Sequence, residues 1–209
     1  MCITLKGVLI MRSVENSVFD EFVKKTFGED FDCGLSSTSR EEIVNRGRIV
    51  SMDKGEYLQI VGDVSKTWGY VCKGLVRVYY MRGKEEVTEQ LSEDGDGFFD
   101  CESFFNQTPS KRYIQMLEPT TLFLFRRLGK EEISSDNYEI RRFLRYMIEK
   151  ALLDKKKRIL DSIFKSAKER YETLLAEKPS LVLRTPSGII ASYLGVTPET
   201  LSRIKAKNN

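Results

Sequence analysis

The sequence predicts an α+β protein: an antiparallel β jelly-roll or barrel domain, one long helix, and a small helical C-terminal domain. Three observations carry this reading. Between about residues 48 and 127, short alternating apolar runs are broken by glycines and acidic turns, the texture of closely spaced antiparallel strands. Over residues 137–168, apolar residues recur at threes and fours without interruption. The tail, residues 186–205, reads PSGIIASYLGVTPETLSRIK, two short amphipathic helices hinged on a glycine. The domains expected are 1–136 for two N-terminal helices and the barrel, 137–165 for the long helix, and 166–209 for the helical C-terminal domain.

The elements follow in order. Residues 14–27 carry Val18, Phe19, Phe22, Val23 and Phe27, a helical stripe. Residues 28–37 are turn-rich, and 39–46 predict a short helix capped by Ser39. In the barrel region Leu75-Val76-Arg77-Val78-Tyr79 alternates, and Lys73-Gly74 and Arg82-Gly83 mark turns. The glycines at 55, 62, 74, 83, 95 and 97 are expected between strands, and Phe98, Phe99, Phe104 and Phe105 are read as core.

The long helix is built on Ile140, Phe143, Leu144, Met147, Ile148, Ala151, Leu152, Ile159, Ile163 and Phe164, with Ser134, Ser135 and Asp136 as cap candidates. At ~1.5 Å per residue it spans ~45 Å, too long for a small barrel to cover. A matching helix from a second copy would bury the remaining stripe. Lys155-Lys156-Lys157-Arg158 reads as a solvated face. Residues 166–177 predict the first C-terminal helix, with Pro179 ending it and LVLRTP extended.

The tail meets the requirements of a helix-turn-helix. Ile189, Ile190 and Leu194 form one apolar face, Ala191 is small, and Gly195 four residues later tolerates the left-handed backbone that stops a helix. Thr197 is a good N-cap, Pro198 a good first helical residue, and Glu199 suits the positive end of the dipole. Leu201 and Ile204 point back at the first helix. Glu199, Thr200, Ser202, Arg203 and Lys205 are left for other faces. Arg grips guanine O6 and N7, and Glu accepts from cytosine N4, so the pattern points to DNA.

Charge agrees with this. Residues 1–136 hold 18 Lys and Arg against 23 Asp and Glu, a net of −5, while residues 137–209 hold 16 against 8, a net of +8. A basic end behind an acidic one suits a polyanionic partner. The chain contains no histidine, which removes Ser-His and Cys-His catalysis, imidazole-held metals and a His-ligated haem. The four cysteines, Cys2, Cys33, Cys72 and Cys101, lie far apart, so no zinc or iron–sulfur pattern forms and no metal is expected. No stretch reaches the ~20 apolar residues that span a bilayer. Residues 1–11 lack the basic start and cleavage site of a signal peptide, and a reduced cytoplasm is expected.

ASYLGVTPETLSRI resembles the recognition region of the Crp–Fnr family of bacterial transcription regulators, particularly its Bacteroidetes-type members. The family pattern is Glu followed three and four residues later by Ser and Arg, and Glu199, Ser202 and Arg203 match it. The resemblance implies phosphate contacts at Thr197 and Thr200, with Lys205 adding salt-sensitive attraction. Pro198 departs from members that place a base-reading Arg there. The resemblance further implies a homodimer joined through residues 137–165, double-stranded DNA and RNA polymerase as partners, and no enzyme activity. It also implies a sensor like a cyclic-nucleotide-binding barrel, carried by GEYLQIVGD, the strands around Gly74 and LEPTTLFLF. Members that bind a cyclic nucleotide hold its phosphate with a Gly-Glu pair and an Arg-Ser or Arg-Thr pair. Here Asp100-Cys101 and Ser110-Lys111 stand at those places, so a cyclic nucleotide is not expected. No cofactor is identified. Another small effector remains open, with Glu102, Lys111 and Arg112 as candidate contacts. The alternative reading is a small-ligand-binding or interaction module that does not read DNA.

Overall fold

Two antiparallel sheets face each other across an apolar interior in a computed structural model that describes residues 9–11, 16–29, 31–32, 34–127 and 138–206. The first sheet has the order β1 (Leu9–Met11), β2 (Gly47–Met52), β9 (Thr120–Arg126), β4 (Thr67–Lys73), β7 (Gly97–Phe98). The second runs β3 (Tyr57–Gln59), β8 (Arg112–Met116), β5 (Leu75–Arg82), β6 (Glu85–Glu93). Every pairing between these strands is antiparallel. This is the expected jelly-roll architecture.

The two-residue period of the strands sorts side chains between two cores. Val50, Met52, Val71, Val76, Val78, Ile114, Met116, Leu122 and Leu124 fill the interior, with Phe98 among them. Their neighbours Tyr70, Phe123 and Phe125 face outward and are covered by Phe19 and Phe22 of α1 (Asn16–Phe27), Ile43 of α2 (Ser37–Asn45), and Ile140 and Phe143 of α4 (Tyr138–Phe164). Gly74 joins β4 to β5 at φ +121°, and a Cβ there would lie 2.5 Å from the Thr120 hydroxyl. Only glycine fits that turn.

Several expectations are corrected. The cap of α2 is Ser36, whose side chain accepts from the Ser39 N–H, and Ser39 is buried inside the helix. Ser36 also donates to Glu139 of α4 at 2.7 Å, so that serine ties two helices together. Gly97 lies within β7 instead of between strands. Pro179 does not end a helix into an extended piece. It opens α6 (Pro179–Arg184), where a missing N–H costs nothing, and Leu181 and Val182 bury against the barrel.

The long helix is present as α4, 27 residues and about 40 Å long. It stops where Ser166 begins a capping box with Glu169 at the start of α5 (Ala167–Glu177). Ile140 and Phe143 are buried, but Leu152, Ile159, Ile163 and Phe164 are exposed, the last at 78%. The expected caps at Ser134, Ser135 and Asp136 lie outside the described residues. Among the described residues no helix is long and apolar enough to cross a membrane.

Candidate nucleic-acid interface

The C-terminal helices α7 (Ser187–Leu194) and α8 (Pro198–Ala206) pack as a helix-turn-helix. Gly195 sits at φ +67°, and the Val196 N–H reaches the Ala191 carbonyl at 3.0 Å, closing the end of α7. Ile190, Ala191, Leu194, Leu201 and Ile204 are buried together, and Val196 packs against them. The Thr197 hydroxyl accepts from the Thr200 N–H at 3.2 Å, capping α8. Burial of Leu201 and Ile204 fixes the rotation of α8, and the same rotation turns Glu199, Ser202 and Arg203 out, all exposed.

The outward groups are lightly held. Arg203 Nη2 donates to the Thr200 hydroxyl at 3.2 Å. The Glu199 carboxyl is lowered from its ordinary value by its own backbone N–H and by the Thr197 hydroxyl, so it is a ready acceptor at neutral pH. Lys205 is not brought to this face. Its Nζ donates to the Ser187 hydroxyl at 2.8 Å, bracing α8 on α7.

The C-terminal helices are docked on the barrel. The Ser192 hydroxyl donates to the Glu86 carbonyl at 2.8 Å and accepts from the Thr88 N–H at 2.9 Å. Arg184 gathers Glu93, Asp94 and Glu118 at 3.0, 2.7 and 2.6 Å. Leu75 and Leu91 of the barrel share a core with Tyr171, Leu181 and Ile190. None of these contacts announces itself in the sequence, because each joins residues far apart in the chain.

A second cluster lies at the barrel's candidate effector positions. Asp100 is the N-cap of the six-residue α3 (Cys101–Asn106) and is fully buried. Its carboxylate accepts from the Ser110 hydroxyl at 2.5 Å, Gln59 Nε2 at 3.2 Å and the Ser103 N–H at 3.3 Å. Arg112 reaches Glu89 at 2.5 Å, Glu102 at 3.0 Å and Asp100 at 3.4 Å. Lys155 of α4 meets Glu89 at 3.3 Å. Burial raises the Glu89 carboxyl, but the Arg112 and Lys155 charges outweigh it and leave it below the ordinary value. Of the three expected contacts, Glu102 and Arg112 come together and Lys111 is exposed apart from them. Gln59, Glu89, Ser110 and Lys155 were missed as partners. Only Asp100, three residues before Ser103, carried a local signal, that of a cap.

The aromatic residues of this region divide. Phe98 is barrel core, as expected. Phe99, Phe104 and Phe105 pack edge to face with each other, and Phe105 is 42% exposed, so the core expectation fails there. All three line a cavity of about 160 Å³ outside the barrel.

No family model and no curated protein matches the chain. Solved structures do resemble it. FixK2 from Bradyrhizobium japonicum is 21% identical, with a TM-score of 0.63 over 77% of this chain and 83% of its own. A CooA variant from Carboxydothermus hydrogenoformans is 21% identical, with a TM-score of 0.60 over 89% of this chain and 83% of its own. CLP from Xanthomonas campestris, described as a c-di-GMP-responsive global regulator that links cell–cell signalling to virulence gene expression, is 15% identical, with a TM-score of 0.60 over 82% of this chain and 91% of its own. At these identities the likeness is one of fold: a β-barrel, a long helix and a helix-turn-helix in the same order.

Proposed function

We propose that this chain is a sequence-specific DNA-binding transcription regulator of the Crp–Fnr type, and not an enzyme. The observation that carries the reading is the rotation of α8. Its apolar side is locked into the C-terminal core, and Glu199, Ser202 and Arg203 stand exposed together on the other. Arg203 takes guanine O6 and N7, Glu199 accepts from a cytosine amino group, and Ser202 touches a neighbouring base. Thr197 and Thr200, at the helix N-terminus, hold phosphates. Lys205, to the side of that face, braces the helix on α7 and adds a positive charge that strengthens attraction to the DNA backbone.

The exposed apolar stripe of α4 supports a homodimer joined through residues 137–165. Ile148, Leu152, Ile159 and Ile163 fall within one side of the helix and are all exposed. Two copies then present two α8 helices to successive major grooves of an inverted repeat. Double-stranded DNA, a second copy and RNA polymerase are the partners in this reading, which places the protein in the cytoplasm. The barrel serves as a sensor without a cyclic nucleotide. A phosphate arriving at Arg112 would face Glu89, Asp100 and Glu102, three carboxylates already arranged around it.

Fluorescence anisotropy tests the proposal with a pool of inverted-repeat DNAs of random core, at several salt concentrations, followed by sequencing of what is retained. The expected result is a palindrome with a G·C pair in each half and a steep fall of affinity with salt. Arg203→Ala should cost about 1–3 kcal/mol at that base pair and relax the preference there. An enriched site that Arg203→Ala reads unchanged would remove Arg203 from the interface, and no enrichment at any salt would sink the proposal. Cyclic AMP should leave the affinity unaltered; a several-fold gain would reopen the nucleotide site.

A further inference from the structure

The cavity beside α3 lies between the barrel and α4. Trp68 of β4 and Phe125 of β9 form one wall, Phe104 of α3 a second, and Leu144 and Met147 of α4 a third. The cavity holds about 160 Å³ and is partly open to solvent, with Phe105 and Ile148 of its lining exposed. An apolar space of about 150 Å³ is large enough to hold benzene. Arg127 is the one charged residue among the described residues that line it. Its side chain is half-buried and makes no ion pair or hydrogen bond with a described residue. A guanidinium with no side-chain partner among the described residues, beside an aromatic-walled space, suits a ligand with an apolar body and an anionic end. The dimensions admit about one ring or a medium acyl chain and exclude a nucleotide.

We propose that this cavity binds a small apolar acid, an aromatic or medium-chain carboxylate, with its body among Trp68, Phe104 and Met147 and its carboxylate on Arg127. The proposal deepens the regulator reading by naming the ligand class of its sensor. A ligand here touches the barrel on one side and α4 on the other. Its binding therefore favours one packing of α4 on the barrel, and α4 is the helix through which the proposed dimer pairs.

The test needs neither DNA nor a label. Trp68 is the chain's one tryptophan, so intrinsic fluorescence of the full-length protein reports occupancy. The probes are phenylacetate and octanoate, with 2-phenylethanol and 1-octanol as neutral counterparts. At least one acid should give a saturable change with a dissociation constant below about 1 mM, and its alcohol should bind about tenfold more weakly. Arg127→Gln, at the rim of the cavity, should keep the wild-type melting temperature and erase the preference for the acid. A flat response to both acids, equal binding of acid and alcohol, or an acid preference that survives Arg127→Gln each overturns the proposal. The two readings fail separately. A flat titration in a protein that selects a palindrome removes only the acid site. Saturable acid binding in a protein that enriches no DNA keeps the site and removes the regulator.

Discussion

In the barrel cluster, Arg112 meets Glu89 at 2.5 Å, Glu102 at 3.0 Å and Asp100 at 3.4 Å. On α8, Arg203 meets one hydroxyl, that of Thr200, at 3.2 Å. The surroundings share residue types, Arg, Glu and Ser, and use them to opposite ends. Around Arg112, Nε and Nη1 are already answered by the carboxylates of Glu89, Asp100 and Glu102, so an incoming anion would have to displace them. Around Arg203 the backbone is satisfied by Thr197 and the apolar side is buried, but the charged ends are left to solvent. A partner that replaces water there need break nothing inside the protein. The difference separates a region that holds the fold from one that is offered to a ligand, and residue identity alone does not reveal it.

The sharpest test of that contrast is Asp100→Ala. The substitution removes the cap of α3 and takes from Ser110, Gln59 and Arg112 the one carboxylate they share inside the barrel. Breaking a buried, hydrogen-bonded carboxylate of this kind costs about 3–5 kcal/mol. Urea denaturation should show a much lower midpoint with an unchanged slope. Asp100→Asn, which keeps the shape and one acceptor oxygen, should lose distinctly less. A wild-type midpoint for Asp100→Ala would mean the cluster is not structural, and the contrast with α8 would collapse.

The same contrast explains what the sequence disclosed. The helix-turn-helix was legible because its requirements are local: Ala191, Gly195, Thr197, Pro198 and the apolar positions around them all fall within a few residues. The long helix was legible through its period, and the barrel through its alternation. The sequence misplaced features whose meaning depends on distant partners. Ser36 and Ser39 are both good caps, and it is Ser36 whose hydroxyl accepts from the Ser39 N–H and also reaches Glu139 of α4. Proline closes one helix or opens the next, and the burial of Leu181 and Val182 decided for opening at Pro179. Gln59, Glu89 and Lys155 come to the Asp100–Arg112 cluster from three separate elements, and nothing near them in the chain marks that meeting. Phe104 and Phe105 read as core along with the buried Phe98 and Phe99 because aromatic spacing does not distinguish a filled interior from a cavity wall.

A smaller effect is expected where the interface borders the fold. Thr197→Ala removes the hydroxyl that accepts from the Thr200 N–H, and loss of such a cap costs about 1 kcal/mol. The cost should appear in thermal unfolding and again in DNA affinity, because an uncapped first turn no longer fixes Glu199. Thr197→Ser keeps an accepting oxygen and should restore most of both. If DNA affinity fell while stability held, Thr197 would belong wholly to the phosphate contacts and the border between cap and interface would have to be redrawn.

The smallest effect is the one the comparison most depends on. Arg203→Ala deletes an exposed guanidinium whose hydrogen bond is to an exposed hydroxyl, so its effect on unfolding should stay within about 0.5 kcal/mol. Arg112→Ala strips charge-assisted partners from Glu89 and Glu102 and should cost more, about 1.5–3 kcal/mol. Measured by urea denaturation under one set of conditions, the pair gives a ratio that does not depend on knowing the DNA site. A stability loss for Arg203→Ala as large as that for Arg112→Ala would make Arg203 a structural residue of α8, since a side chain already committed to the fold is not free to grip a base. A loss confined to Arg112→Ala leaves Arg203 with no internal employment, and an exposed, positively charged group on a rigid helix face is then available to the electron-rich edge of a guanine.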